Sequence, residues 1–329
     1  FFFFFSKSCN SKIVMSEIVQ PNLQSKQTTN FDDENGSFFD TNSITSCRTS
    51  ILQMGFPSES EEIIREMIEK ERQHSPRDSY LKRLRSGDLD LTVRNQALDW
   101  IWKACEELQI GPLCMCLAIN YLDRFLSVHD LPSGKAWIVR LLAVACLSLA
   151  AKIEETKVPE LIHLQVVDPW FMFEPKTVQR MELLVLNVLR WRLRAVTPCS
   201  YIRYLLSKIN GYGYDQEPSS RLISRSLQVI ASTTKGIDFL EFRASEIAAA
   251  VALSVSGELH SLHFGKFSFY SFFSHLEKER VKKIGEMIER DWSTSCSETP
   301  NNAVLQFKTH HHSLSLSTTS VSSSLTSLS

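Results

Sequence analysis

The sequence predicts an all-α protein: two tandem helical domains flanked by disordered tails. Three observations carry that prediction. Apolar residues recur at helical spacing through the middle of the chain, and no segment alternates with period two as a half-buried strand would. Two alanine-rich apolar stretches, AVACLSL at 143–149 and AVALSVS at 250–256, are alike in character at a lag that suggests a duplicated domain. The ends are polar by contrast, with Asn, Ser, Thr, Asp and Gln dominating 16–57 and serine dominating the low-complexity stretch beyond Trp292. The organisation that follows is a disordered segment over 1–57, a first domain with a preceding helix over 58–196, a second domain over 197–292 and a disordered tail over 293–329.

Order begins at PSESEEIIREMIEKER, where Ser58 and Glu61 have capping-box spacing and Ile63, Ile64, Met67 and Ile68 form one apolar stripe. After a loop around Gly87, LTVRNQALDWIWKACEEL places Val93, Ala97, Trp100, Ile101, Ala104 and Leu108 on one side of a helix that Gly111-Pro112 stops. Pro112 then opens PLCMCLAINYLDRFL from its first position. Lys135 to Lys152 is apolar on nearly every side and so is predicted to be the surrounded, central helix of its domain. A short helix from Pro159 and a long one, EPKTVQRMELLVLNVLRWRL, complete the first half. In the second, Thr197 and Pro198 cap TPCSYIRYLLSKI, followed by helices around 221–235, 245–256 and 278–291.

Composition narrows the function. With 36 basic and 37 acidic residues in 329, the formal net charge of -1 provides no general attraction to nucleic acid or an anionic membrane. The longest apolar run, Leu141 to Ala151, is short of the ~20 residues that cross a bilayer. Eight cysteines are scattered, and the Cys114/Cys116 spacing suits neither a zinc knuckle nor a CxxC redox pair, so reduced thiols in an intracellular protein are expected. The opening FFFFFSKSCNSKIV has no basic region before its apolar run, unlike a signal peptide. Residues 1–14 are read as lying outside the natural coding sequence, which would start at Met15.

No constellation for catalysis assembles. GxGxxG, GxxxxGK[ST], HExxH and GxSxG are absent, and adjacent carboxylates such as Glu154-Glu155 are expected to be a solvated face. No catalytic residue, metal site or cofactor is predicted. Instead, a few charges sit where apolar residues dominate. Arg94 and Asp123 fall beside core positions, where a charge must be paired, and are read as a structural salt bridge between the first two box helices. Lys152 ends the most apolar helix, and Glu182 interrupts the apolar QRMELLVL. Exposed beside Ile153, Leu186 and Leu189, these opposite charges would form a docking surface; the alternative is that they pair with each other.

These residues carry a resemblance. VRNQALDWIWK, NYLDRFLS, LLAVACLSLAAKIEET, KTVQRMELLVLNVLRWRL and SEIAAAVALSVSGE resemble the cyclins, and in detail the plant D-type cyclins, over about Ser58 to Trp292. The resemblance implies two five-helix cyclin folds in tandem, no catalytic activity, and a nuclear regulatory subunit that activates a cyclin-dependent kinase, in plants an A-type one, at G1/S. Carried over, Lys152 and Glu182 contact the kinase, with Ile153, Glu154 and Glu155 presented beside them. Retinoblastoma-related protein and kinase inhibitors are further implied partners; nucleic acid and membrane are not.

The match also departs from the family. Trp100 corresponds to the substrate-docking patch of many cyclins, but Gln96 and Ala97 stand where bulkier apolar residues often sit and Arg140 replaces a usual glutamine. Neither Cys9 nor Cys47 lies in an LxCxE motif, and LHSLHFGKFSFYSFFSHL after Glu258 does not follow the pattern. A kinase-binding decoy that recruits no substrate is therefore the alternative, with a DNA-gripping cyclin-fold scaffold ranked below it for want of a basic stripe. Thr299, before Pro300, is a candidate phosphorylation site.

Overall fold

The computed structural model describes residues 61–132, 134–165, 172–209, 218–257 and 277–297, with side chains in the last stretch up to 291. Its helices are α1 (Glu61–Glu71), α2 (Ser79–Ser86), α3 (Leu91–Glu107), α4 (Pro112–Leu126), α5 (Ala136–Glu154), α6 (Leu161–Leu164) and α7 (Pro175–Val188). The second half contributes α8 (Ile202–Ile209), α9 (Ser220–Thr233), α10 (Ala244–Val255) and α11 (Lys278–Ser297). Short 3₁₀ turns follow α1, precede α8 and follow α9, and no strand occurs among the described residues. The tails, Ser58, Thr299 and the divergent stretch after Glu258 lie outside the described residues.

Helix α5 organises the first domain. Every residue from Leu141 to Ala151 is buried, and α3, α4 and α7 pack around it. The alanines at 143, 145, 150 and 151 let neighbouring helices come close, while each leucine buried here contributes about 1.5–3 kcal/mol. By length and composition alone α5 could cross a membrane, since it extends well beyond the apolar run; its burial identifies it as a core helix. Helix α10 holds the corresponding place in the second domain, wrapped by α8, α9 and α11. The two alanine-rich stretches are thus the central helices of two similar halves.

Local chemistry accounts for the boundaries. Asp90 caps α3 by accepting from the Thr92 backbone N–H at 2.8 Å. Prolines occupy first-turn positions in α4 and α7, where no amide is missed. Thr197 and Ser200 form a reciprocal capping box ahead of α8. Helix α2 was not foreseen: SYLKRLRS has only Tyr80 and Leu84 on its buried face, too few to show a period, and the loop expected here begins only at Gly87, the left-handed C-cap with φ of 81°. In α1 the expected stripe is narrower, with Ile64 buried, Met67 and Ile68 half-buried and Ile63 exposed. Helix α7 stops at Val188, earlier than the pattern suggested, because Arg190 and Trp191 adopt left-handed φ of 53° and 60°. Helix α11 continues to Ser297, past Trp292.

Two buried polar clusters join the halves. Arg94 on α3 donates from Nε to Asp123 Oδ1 at 2.8 Å and from Nη2 to Oδ2 at 3.1 Å, while Tyr80 on α2 donates its hydroxyl to the same Oδ1 at 2.8 Å. The expected bridge between α3 and α4 is there, and it reaches further. The guanidinium also donates to the backbone carbonyls of Thr234 at 2.9 Å and Lys235 at 3.2 Å, just past the end of α9. Burial alone would lower the Arg94 pKa, but the Asp123 charge and its hydrogen bonds raise it.

The second cluster centres on Glu71, the buried last residue of α1. Its carboxylate accepts from the Tyr201 hydroxyl at 3.1 Å, the Ser245 amide at 3.0 Å and the Ser245 hydroxyl at 3.1 Å, at the start of α10. Helix α1 therefore belongs as much to the second domain as to the first.

Removing the Asp123 carboxylate strands a buried guanidinium. Asp123→Ala should lower stability by about 3–5 kcal/mol in urea unfolding. A second expectation concerns His74, whose Nδ1 accepts from the Val196 amide. Burial, then Arg124, Arg192 and Lys70, push its pKa down from 6.5 to about 4. Between those values the unfolded chain binds a proton that the folded one refuses, so this group makes stability fall as pH falls from 6.5 to 4. Unfolding free energies of His74→Asn across that range should decline less than those of wild type.

Candidate functional site: a latched docking face

Three elements build the face that the charged residues predicted. Helix α5 ends at Glu154, α6 follows after a short loop, and α7 packs alongside α5. Lys152 sits in the last turn of α5, where a cation is favourable at the negative end of the helix dipole. Its Nζ donates to Glu182 Oε1 at 2.6 Å and Oε2 at 2.7 Å, tying the end of α5 to the middle of α7.

The two charges are therefore partners, and they are not equally exposed. The Lys152 side chain is 42% exposed and that of Glu182 only 8%. Leu186 and Leu189, expected on the surface beside them, are buried instead, because they lie on the side of α7 that packs inward with Glu182. The apolar part of the face is made by other residues. Of the eight large apolar side chains exposed among the described residues, six fall between 153 and 191: Ile153, Val158, Ile162, Met172, Leu183 and Trp191. Leu183, at 53%, stands next to the latched Glu182, and Trp191, at 59%, caps the far end of α7. Scattered exposed apolar residues need no explanation, and what distinguishes these six is their concentration along one stretch of chain, from the end of α5 to the turn after α7.

The acidic pair behind Lys152 points elsewhere. Glu155 is half-buried, and burial raises its pKa, with the Gly111 backbone amide before α4 opposing. Glu154 is half-buried, its pKa raised by burial and then by Glu155, with Arg194 opposing. Both are turned toward the protein, so within the KIEE sequence only Lys152 and Ile153 are outward-facing. The sequence missed Leu183 and Trp191, although Leu183 stood in its motif. Its exposure depends on which face of α7 meets α5, and Trp191 owes its exposure to the left-handed turn.

The three substrate-docking candidates do not form an apolar patch. Trp100 is buried, Gln96 is exposed and Arg140 is half-buried, and no large apolar side chain of α3 is exposed. The Trp100 indole Nε1 has no hydrogen-bond partner among the described residues. Among those residues no three His, Cys, Asp or Glu side chains gather as a metal site, and Cys105, Cys114, Cys116, Cys146 and Cys199 are buried free thiols.

Comparison with known proteins matches this architecture domain by domain. Residues 62–194 fit the model of the cyclin N-terminal domain, and residues 196–323 that of the cyclin C-terminal domain. Cyclin-D4-2 of Arabidopsis thaliana is 78% identical over 315 residues, covering 96% of this chain and all of the relative. Cyclin-D4-1 of the same plant is 70% identical over 87% of the chain and 94% of the relative, and Cyclin-D4-1 of Oryza sativa subsp. japonica 50% over 73% and 65%. A viral cyclin from herpesvirus saimiri aligns in structure with a TM-score of 0.47 and 17% identity, over 60% of this chain and 87% of its own. The chain belongs to the cyclin family. Within that family it is a D-type cyclin of the plant group.

Because Glu182 is buried, the latch is worth more broken than made. Lys152→Met leaves a carboxylate without its cation and should cost about 1–3 kcal/mol in chemical unfolding. Adding Glu182→Leu should recover most of that loss, a coupling that a double-mutant cycle measures directly.

Proposed function

We propose that this cyclin is the regulatory subunit that binds and activates a cyclin-dependent protein kinase, an A-type plant enzyme, and so promotes the G1/S transition. The observation that carries the reading is the stretch from Ile153 to Trp191: exposed apolar side chains from the end of α5 to the turn after α7, the two helices that the Lys-Glu latch ties together. Burial of that apolar surface supplies affinity, while the exposed edge of Lys152 selects register on the partner.

Activation works by population shift. A kinase samples conformations in which its catalytic Lys-Glu ion pair and activation loop are in or out of place, and a partner that binds the former more tightly raises its population. Rigidity in the cyclin is what makes the difference in affinity large. The chain does no chemistry of its own in this reading. Action in the nucleus, imported together with the kinase, follows from the same proposal, as does phosphorylation of a retinoblastoma-related substrate and restraint by kinase inhibitors.

Variants that change the face without touching the latch separate binding from folding. Trp191 holds a left-handed backbone in which Asn is more comfortable, so Trp191→Asn should keep or raise the melting temperature. Together with Leu183→Ser it should weaken capture of an A-type kinase by at least about tenfold, as loss of exposed aromatic and aliphatic anchors does. Kinase activity on a retinoblastoma-related substrate should drop in step. Unchanged capture would remove the face from the interface; wild-type capture without substrate phosphorylation would favour the decoy.

A further inference from the structure

The cleft between the two domains carries chemistry that the docking face does not use. It encloses about 880 Å³ between the end of α1, helix α2, helix α4, the end of α9 and the starts of α10 and α11. That volume lies in the range of clefts that bury a compact ligand, and domain interfaces are where such sites concentrate.

The lining is unbalanced in charge. Three of its cations are committed to carboxylates that also line it: Arg94 to Asp123, Arg280 to Glu246 and Arg85 to Glu241. Arg72, Arg77 and Lys82 are exposed, and their side chains make no hydrogen bond or ion pair with a described residue. A fourth cation, Arg243, is within electrostatic reach of Glu71 and Glu246 and is partly compensated. Against the free three stand only the exposed carboxylates of Asp78 and Glu277. In a chain of net charge -1, positive charge has been gathered at one concave place.

We propose that this cleft is a docking site for a phosphorylated serine or threonine segment of a partner protein, gripped by Arg72, Arg77 and Lys82. A phosphomonoester carries close to two charges on three acceptor oxygens, which suits several guanidinium and ammonium donors lining one cleft better than a lone carboxylate does. Preference for a phosphomonoester rests on the kinase reading, since a subunit held on a kinase meets segments already phosphorylated. The site lies on other elements than the Lys152 face, so both can be occupied together.

The test uses the full chain alone. The probe is a degenerate peptide library with one fixed phosphothreonine, beside its unphosphorylated twin and a short double-stranded DNA. Wild-type protein should retain the phosphorylated library at least about tenfold better than its twin. The exposed triple variant Arg72→Glu/Arg77→Glu/Lys82→Glu should lose that preference with its melting temperature unchanged, whereas Lys282→Glu/Lys283→Glu on α11 should keep it. Equal retention of both libraries, loss in the α11 control as well, or DNA held as tightly as the phosphopeptides would overturn the assignment. Kinase capture measured on the same triple variant should be intact. A failed peptide experiment with intact capture therefore sinks the cleft and leaves the kinase reading standing.

Discussion

The fold depends on one guanidinium. Arg94 is almost completely buried, and its four hydrogen bonds to oxygens, with Tyr80 joining through Asp123, form a single cluster drawn from α2, α3, α4 and the end of α9. A cation so placed is tolerable only when its donors are satisfied, and satisfying them specifies where each of those elements must lie. The apolar packing around α5 and α10 makes each half stable, but packing is permissive in angle. Hydrogen bonds of fixed length are not, so this cluster, together with the one around Glu71, gives the two halves a defined mutual position.

That positional definition is what a regulatory subunit of this kind requires. A partner that selects one conformation of a kinase must itself resist deformation, otherwise the contact energy is dissipated in the cyclin. The Lys152–Glu182 latch does for the two helices what Arg94 does for the domains: it fixes α5 against α7 by a charged contact at the rim of apolar packing. Its weak intrinsic worth is no objection, since an ion pair with one exposed member contributes of order 0–1 kcal/mol at most. Position, more than stability, is its contribution.

Much of this was legible from residues alone. Helical periodicity, proline at first turns and alanine-rich central helices identified the class and the two halves, because each is a local property of the chain. The ion pair of Arg94 and Asp123 was also readable, since charge among core positions demands a partner. What could not be read was which side of α7 turns inward. That choice buried Glu182, Leu186 and Leu189 and exposed Leu183, and it depends on the neighbouring helix. Helix α2 escaped because its two buried side chains are outnumbered by cations, and Glu71 because nothing local distinguishes a buried glutamate from its exposed neighbours in EEIIREMIEKE.

Arg94 grips the second domain through main-chain carbonyls of Thr234 and Lys235, and the Lys235 ammonium lies over the Trp102 ring at 4.2 Å. A carbonyl is the same whatever residue bears it. That grip is therefore largely indifferent to which residues stand at 234 and 235, provided that α9 ends at the same height, whereas the Glu71 cluster depends on the Tyr201 and Ser245 side chains. One joint thus tolerates substitution on its far side where the other does not, although both hold the same two domains.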